Sequence, residues 1–329
     1  MGIFMRPGVV RYWRTVWTRQ DDGRPVLGDD RVRPSFLGMH CQTALLGNFR
    51  GALQAKGSGL LPAPFCAIIK ISPQQRKPTH MTTAIFAGRT ALVTGGSRGI
   101  GRAIVQMLAE HGAKVAINYQ HNAEAAQEIL AQVESCGTEG MAVQADVSQQ
   151  AEVEQMIAQV RAAFGPVELL VNNAGIASTE GHDEFGFAEW ERMFAVNVHG
   201  PFLTTWAVKD EMIERRFGRI VNISSLAAWL LKPNMIHYAT TKAAVIAFTR
   251  QCAQALAEHN VRINCLAPGL TDTELARSAN PGQVAELIAN TPLGRMADPA
   301  EMASVVRFLL SEESSFITGQ TITACGGRS

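Results

Sequence analysis

Three residues of this chain have types and a spacing that could do chemistry: Ser225, then Tyr238 thirteen positions later, then Lys242 four beyond the tyrosine. The apolar spacing predicts a helix over residues 236–259, and on it Tyr238 and Lys242 stand at i and i+4 on one face. A phenol alone is a poor acid or base at neutral pH, because its unperturbed pKa is about 10. A neighbouring ammonium favours the phenolate and is expected to make the proton exchangeable. Ser225 follows the strand-like run 218–224 and could hydrogen-bond a substrate carbonyl held against the phenol. Interconversion of a carbonyl and an alcohol needs these groups from a protein, while the hydride must come from a cofactor.

From Arg89 onward short apolar runs alternate with amphipathic stretches. Strands are expected at 89–94, 114–118, 140–146 and 167–173, with helices at 99–112, 122–137 and 152–165. Repeated βα units of this length specify an α/β fold, a doubly wound parallel sheet with helices on both faces (a Rossmann fold), in a single domain.

Between the first strand and first helix lies TGGSRGIG, residues 94–101. Gly95 lets the chain leave the strand sharply, Gly99 permits close approach of a pyrophosphate, and Gly101 lets the helix pack near the sheet. The helix N-terminus then meets an anion. After the second strand the residues are Asn118, Tyr119, Gln120 and His121, with no acid before Glu124 to hold a ribose 2′-hydroxyl. Arg98 in the loop can meet a 2′-phosphate. Together these favour NADP(H) over NAD(H), with Arg98 as a plain solvated charge the alternative.

The 329 residues carry a net charge of +1, distributed unevenly: residues 1–80 hold +8 and the remainder −7. Residues 1–80 also hold half the prolines and no sustained period. Asp21, Asp22, Asp29 and Asp30 argue against a transit-peptide helix, and the segment has neither a secretory-signal pattern nor an aromatic pattern for nucleic acid. Residues 1–80 are read as a disordered or mis-annotated extension, with Met81 as the physiological start and 81–329 as the domain. Cys41, Cys66, Cys136, Cys252, Cys265 and Cys325 are scattered, which fits unpaired thiols in a reducing compartment and implies no metal. No apolar run reaches membrane-spanning length, so a cytoplasmic location is expected.

With TGGSRGIG, NNAG at 172–175, the Asn of VNVHG, and the Ser–Tyr–Lys spacing in place, the sequence resembles the short-chain dehydrogenase/reductase family, and within it the 3-oxoacyl-[acyl carrier protein] reductases. The resemblance runs from Met81 to the C-terminus. It implies catalytic roles for Asn197, Ser225, Tyr238 and Lys242: a water-holding proton relay, carbonyl polarisation, general acid, and a lysine that also bonds the nicotinamide ribose. It further implies that Ser97, Arg98, Ile100, Asn118 and Tyr119 border the cofactor with the glycines. Asp146 with Val147 would lie at the adenine, and Asn172, Asn173, Ala174 and Gly175 beside the adenine ribose. Pro268, Gly269 and Leu270 would grip the nicotinamide amide, with Thr271 or Thr273 near the phosphates. Ser224 could instead be the exposed hydroxyl, and Asn197 could cap a backbone kink. His237, adjacent to Tyr238, is expected to face away from the site.

The chain departs from the family pattern in two places. Cys325 stands where relatives usually carry Asp or Asn, which is expected to affect packing. Of the two basic positions used for docking an acyl carrier protein, Arg216 beside Arg215 fits the first, but His259 occupies the second. Free ketones and coenzyme A thioesters therefore stay open as substrates. An apolar pocket from Leu226, Ala227, Ala228, Trp229 and Leu230 with the lid 271–294 is expected. So is a homotetramer built through the helices bearing Asn197 and Tyr238. The rival readings are an NAD-dependent alcohol or sugar dehydrogenase and a cofactor-sensing protein without chemistry.

Overall fold

The computed structural model describes residues 84–277 and 280–328, together with four short strands nearer the N-terminus. The chain divides into two compact units, Met1–Gln75 and Arg76–Ser329. In the first, β1 (Ile3–Arg6) pairs antiparallel with β2 (Val9–Tyr12), and β3 (Trp17–Arg19) with β4 (Pro25–Leu27). Apart from these strands, the segment read as an N-terminal extension lies outside the described residues, as does Met81.

The second unit follows the alternation seen in the sequence. Its elements begin with β5 (Thr90–Val93), α1 (Gly99–Glu110), β6 (Lys114–Tyr119), α2 (Ala123–Ser135), β7 (Gly140–Gln144), α3 (Gln150–Phe164) and β8 (Leu169–Asn172). After α4 (Phe187–Phe194) a five-residue π-helix, Ala195–His199, runs into α5 (Gly200–Glu214). Then come β9 (Gly218–Ile223), α6 (Ile236–Leu256), β10 (Val261–Pro268), α7 (Glu274–Arg277), α8 (Pro281–Ala289), α9 (Pro299–Leu310) and β11 (Thr321–Ala324). The seven strands β5 to β11 form one sheet, ordered β11-β10-β9-β8-β5-β6-β7, and every pairing is parallel. This is a doubly wound Rossmann sheet, as expected. Strand order reverses between β5 and β8, and ligands of such sheets bind outside the carboxyl ends of the strands at that switch point.

The central strands β5, β8 and β9 are buried along their whole length because helices cover both faces. One core layer packs Ile104 and Leu108 of α1 and Val306 and Leu309 of α9 on the sheet. The other packs Met156 and Val160 of α3, Met212 of α5 and Leu256 of α6 on it. Each such side chain contributes about 1.5–3 kcal/mol on burial, so the sheet is a rigid platform for whatever leaves its carboxyl edge. Arg262, buried at the opposite edge, donates to the carbonyls of Leu309 and Ser311 and so closes the C-terminus of α9. Among the described residues no helix is long and apolar enough to cross a membrane.

Candidate active site

The carboxyl edge of β5 opens into the glycine turn. Gly95 has φ +60° and Gly99 φ +53°, the left-handed region that a side chain disfavours. A Cβ on Gly101 would lie 2.2 Å from the Gly95 carbonyl oxygen, so only glycine lets α1 start this close to the turn. The loop is braced from below: Asn173 Nδ2 donates to the carbonyls of Thr94 and Gly95, both at 3.0 Å, and its backbone N–H donates to Thr94 Oγ1 at 3.0 Å. The buried Asn118 completes the brace, its Oδ1 accepting from the Gly95 N–H at 3.2 Å and its Nδ2 donating to the Ala145 carbonyl at 3.0 Å. This places the Asn118 side chain under the cradle, whereas Tyr119 is half-buried at the end of β6. Ser97 is buried inside the turn and Arg98 exposed on it, with half-buried Ile100 opening the helix. A turn of this shape at a helix N-terminus, with no room for a side chain at Gly101, fits a dinucleotide pyrophosphate.

The other residues expected at the cofactor line the same edge. Asp146 Oδ1 accepts from the Ser148 N–H and hydroxyl at 2.9 and 2.7 Å, and Val147 is buried against Gly200. Asn172 is absorbed into the core. It donates to Asn222 Oδ1 at 2.8 Å and accepts from the Thr204 hydroxyl at 2.6 Å, while Asn222 donates to Thr249. This network ties β8 to β9, α5 and α6, a structural role. Pro268 ends β10, and Gly269 and half-buried Leu270 follow it. A Cβ on Gly269 would lie 2.7 Å from the Cα of Cys325, so a glycine is needed where the two backbones run this close. Thr273 lies against the glycine turn, its Cγ2 3.2 Å from where a Gly99 Cβ would stand, while Thr271 is buried and bonds back to the Gly269 carbonyl. Thr273 is thus the one of the two beside the phosphate cradle.

At the carboxyl edge of β9 the two serines diverge. Ser224 is buried and donates to the Lys242 carbonyl at 2.7 Å, which removes it as the exposed hydroxyl. Ser225 accepts from the Ala227 N–H at 3.1 Å, leaving its own proton to donate, and its hydroxyl lies near enough to the Tyr238 phenol to lower the phenol's pKa. Tyr238 sits in the first turn of α6, which has no side-chain cap. Lys242, one turn on, is buried, and its Nζ donates to the Ile223 carbonyl at 3.0 Å.

The electrostatics correct one expectation. Lys242 Nζ lies 5.8 Å from the Tyr238 ring centre and donates one of its protons to the Ile223 carbonyl, and burial outweighs the ammonium's pull on the phenol. Burial raises the Tyr238 pKa above its usual 10.0, and the Ser225 hydroxyl opposes that rise. Burial also pushes the Lys242 ammonium from 10.5 down to about 8, with the Cys265 thiol opposing. Lys242 therefore exchanges protons near working pH instead of serving as a fixed countercharge.

Asn197 occupies the π-helix between α4 and α5; such one-turn insertions mark functional sites. It does not cap the kink. Its Oδ1 accepts from the Ile176 N–H and its Nδ2 donates to the Ile176 carbonyl, both at 2.9 Å, and also to Thr241 Oγ1 at 3.1 Å. A Cβ on Gly175 would lie 3.1 Å from Asn197 Oδ1 and 3.2 Å from Lys242 Nζ, so this glycine keeps open the space between them. Ala174 donates its N–H to Thr94 Oγ1 at 3.0 Å. His237 faces away from the reacting groups, as expected. Its contact was not foreseen: fully buried, it meets Ser178 Oγ through Nε2 at 2.6 Å. Ser178 and His237 lie on different elements, and no sequence spacing links them.

A phenol, a hydroxyl near it and a lysine titrating near 8 can together protonate or deprotonate an oxygen. The adjoining cradle fits a dinucleotide. Comparisons with known proteins agree with this geometry. The family model described as short chain dehydrogenase matches residues 89–284. The 3-oxoacyl-[acyl-carrier-protein] reductase FabG of Staphylococcus epidermidis is 36% identical over 239 residues, covering 73% of this chain and 98% of that one. The 3-oxoacyl-[acyl-carrier-protein] reductase of Synechocystis is 38% identical over 246 residues, covering 74% and 98%. Among solved structures, a short-chain type dehydrogenase/reductase from Mycobacterium marinum superposes with a TM-score of 0.71 at 32% identity, covering 75% of this chain and 97% of that one. The 3-oxoacyl-[acyl-carrier protein] reductase of Brucella melitensis does so with a TM-score of 0.70 at 35% identity, covering 74% and 92%. Fold, edge geometry and relatives together establish that the chain belongs to the short-chain dehydrogenase/reductase family, oxidoreductases that interconvert carbonyl and alcohol groups.

Proposed function

We propose that the protein reduces the 3-oxo group of an acyl thioester with NADPH. The observation that carries this reading is the meeting of Ser225, Tyr238 and Lys242 at the carboxyl edge of β9, beside the glycine cradle of β5. The names of the Staphylococcus and Synechocystis relatives support the acyl thioester class.

When bound, the nicotinamide supplies the hydride. The chain handles the proton. Ser225, its lone pair held by the Ala227 N–H, donates to the substrate oxygen and stabilises its developing charge. Tyr238 gives that oxygen its proton. Lys242, titrating near 8, replaces the proton on the phenol, and the gap left by Gly175 admits a water between Lys242 and Asn197 to resupply it. Arg98, exposed on the turn, meets the 2′-phosphate that distinguishes NADPH from NADH.

Two partner readings accompany this one. Arg216 donates to the Glu258 carbonyl at 2.8 Å, and His259 Nε2 lies 3.5 Å from Glu258 Oε1, so the two docking positions come together beside exposed Arg215. That supports an acyl carrier protein as substrate carrier, located with the enzyme in the cytoplasm. Exposed Phe202 and Trp206 on α5 pack on each other and edge-on or tilted against Phe248 of α6, lining a groove of about 460 Å³, which supports a homotetramer through these helices.

The test is NADPH oxidation with acetoacetyl thioesters of coenzyme A and of an acyl carrier protein. Tyr238→Phe is expected to bind NADPH normally and to lose about 10²–10⁴ in turnover. Arg216→Glu should raise KM for the carrier-protein thioester alone. Turnover undiminished in Tyr238→Phe would remove the phenol from the reaction.

A further inference from the structure

Tyr238 is the third residue of α6, and the start of this helix, Met235, offers no side-chain cap. The four N-terminal N–H groups of a helix have no partner within it, and uncapped first turns fray. A residue asked to hold its phenol within a few tenths of an ångström of a substrate oxygen therefore needs another tether. The structure supplies a closed ring of hydrogen bonds around it. The Tyr238 carbonyl accepts from Thr241 Oγ1 at 2.8 Å, and Thr241 Oγ1 accepts from Asn197 Nδ2 at 3.1 Å. Asn197 exchanges its pair of bonds with the Ile176 backbone. Two residues along the chain, Ser178 Oγ meets His237 Nε2 at 2.6 Å, and His237 is covalently next to Tyr238.

The direction of the last link follows from its neighbours. Ser178 donates its proton to Glu189 Oε1 at 3.3 Å, and Glu189 is held ionised by a two-point contact with Arg192 at 2.7 and 2.8 Å. The Ser178 oxygen then accepts, so His237 carries its proton on Nε2. This leaves Nδ1, buried without a partner, as a bare acceptor. A fully buried imidazole with one orphaned nitrogen is less favourable than a satisfied one. An apolar side chain would avoid that cost, and the stacking of His237 on Phe185 at 4.5 Å needs only a ring. What the imidazole adds over a phenyl group is the bond to Ser178.

We propose that His237 is a positioning residue for the reaction: through Ser178 it locks the loop after β8 to the first turn of α6 and thereby fixes where Tyr238 points. The inference rests on the reading of Tyr238 as the proton donor. Ser178→Ala removes the bond from a half-buried loop residue without threatening the fold, and His237→Phe keeps the stacking ring while removing the bond. Each is expected to lower kcat for acetoacetyl-coenzyme A reduction by about tenfold, short of the hundredfold that a 1 Å misplacement can cost. KM and NADPH affinity should stay unchanged. The double variant should be no worse than the poorer single one, since both changes break one link. His237→Gln, whose amide can reach Ser178, should recover most of the rate. Phenolate absorbance, read as the difference between each protein and its Tyr238→Phe counterpart, should show a displaced Tyr238 midpoint in Ser178→Ala and His237→Phe. This readout needs no turnover. Wild-type kcat and an unmoved phenolate midpoint in Ser178→Ala would overturn the proposal, as would losses that multiply in the double variant. If Tyr238→Phe itself keeps full turnover, the proton-donor reading fails instead, a separate result.

Discussion

The side chain of Asn197 and the backbone of Ile176 exchange two hydrogen bonds, each 2.9 Å long. An asparagine amide has the same donor and acceptor as a peptide, so it pairs with Ile176 as a neighbouring strand would. The loop leaving β8 is thereby treated as one more paired strand, held by a residue from the π-helix. The pairing keeps Gly175 against Lys242, and any change that loosens it moves the lysine's surroundings.

Lys242 gives a pH-dependent prediction. Its folded-state pKa, about 8, lies below the ordinary 10.5, so between these values the unfolded chain binds the proton and the folded chain does not. This group's contribution to stability therefore rises with pH across that window and is lowest below about pH 8. Lys242→Met, similar in length and uncharged, should be more stable than the parent at about pH 7, by up to about 3 kcal/mol. The advantage should shrink by about pH 9. Urea unfolding of both proteins at the two pH values checks this, and a difference that does not change with pH would contradict it.

Gly101→Ala places a methyl group 2.2 Å from the Gly95 carbonyl oxygen and 2.6 Å from Asn173 Nδ2. Neither neighbour can yield without opening the turn. Loss of measurable NADPH binding is expected, with destabilisation of at least about 2 kcal/mol. Cofactor fluorescence titration and thermal unfolding measure the two effects.

Arg98 is exposed, and its guanidinium lies 3.9 Å from Glu274 of α7, an exposed pair that adds little to stability. If the guanidinium meets a 2′-phosphate, Arg98→Ala should weaken NADPH binding about tenfold or more and leave NADH binding unchanged. Glu274→Gln, which frees the arginine, should tighten NADPH binding slightly. Equal losses for both cofactors in Arg98→Ala would return the arginine to a solvated charge.

Trp206 is 44% exposed on α5 beside Phe202, 40% exposed. Trp206→Glu puts a charge in the middle of that aromatic face, which a buried interface cannot accept unpaired. If this face builds the proposed homotetramer, light scattering should show Trp206→Glu reduced to dimers or monomers relative to the parent. An unchanged mass would remove this face from the proposed interface.

The sequence by itself determined the sheet, the glycine turn and the spacing of Ser225, Tyr238 and Lys242, because each depends on local rules. Alternating apolar runs and amphipathic stretches dictate βα units, a glycine at Gly95 or Gly101 reports a backbone need that no side chain meets, and an i, i+4 pair shares a helix face whatever lies around it. Tertiary structure alone decided matters that depend on burial or on contacts between distant elements. The choice of Ser225 over Ser224 turned on which hydroxyl the Lys242 carbonyl claimed. The Tyr238 phenol is raised and the Lys242 ammonium lowered, against the expected mutual attraction, because desolvation by burial dominates at both groups. The link from His237 to Ser178 spans 59 positions. Periodicity describes neighbours along a chain, and a bond across such a distance exists only once the sheet has brought the carboxyl ends of β8 and β9 side by side.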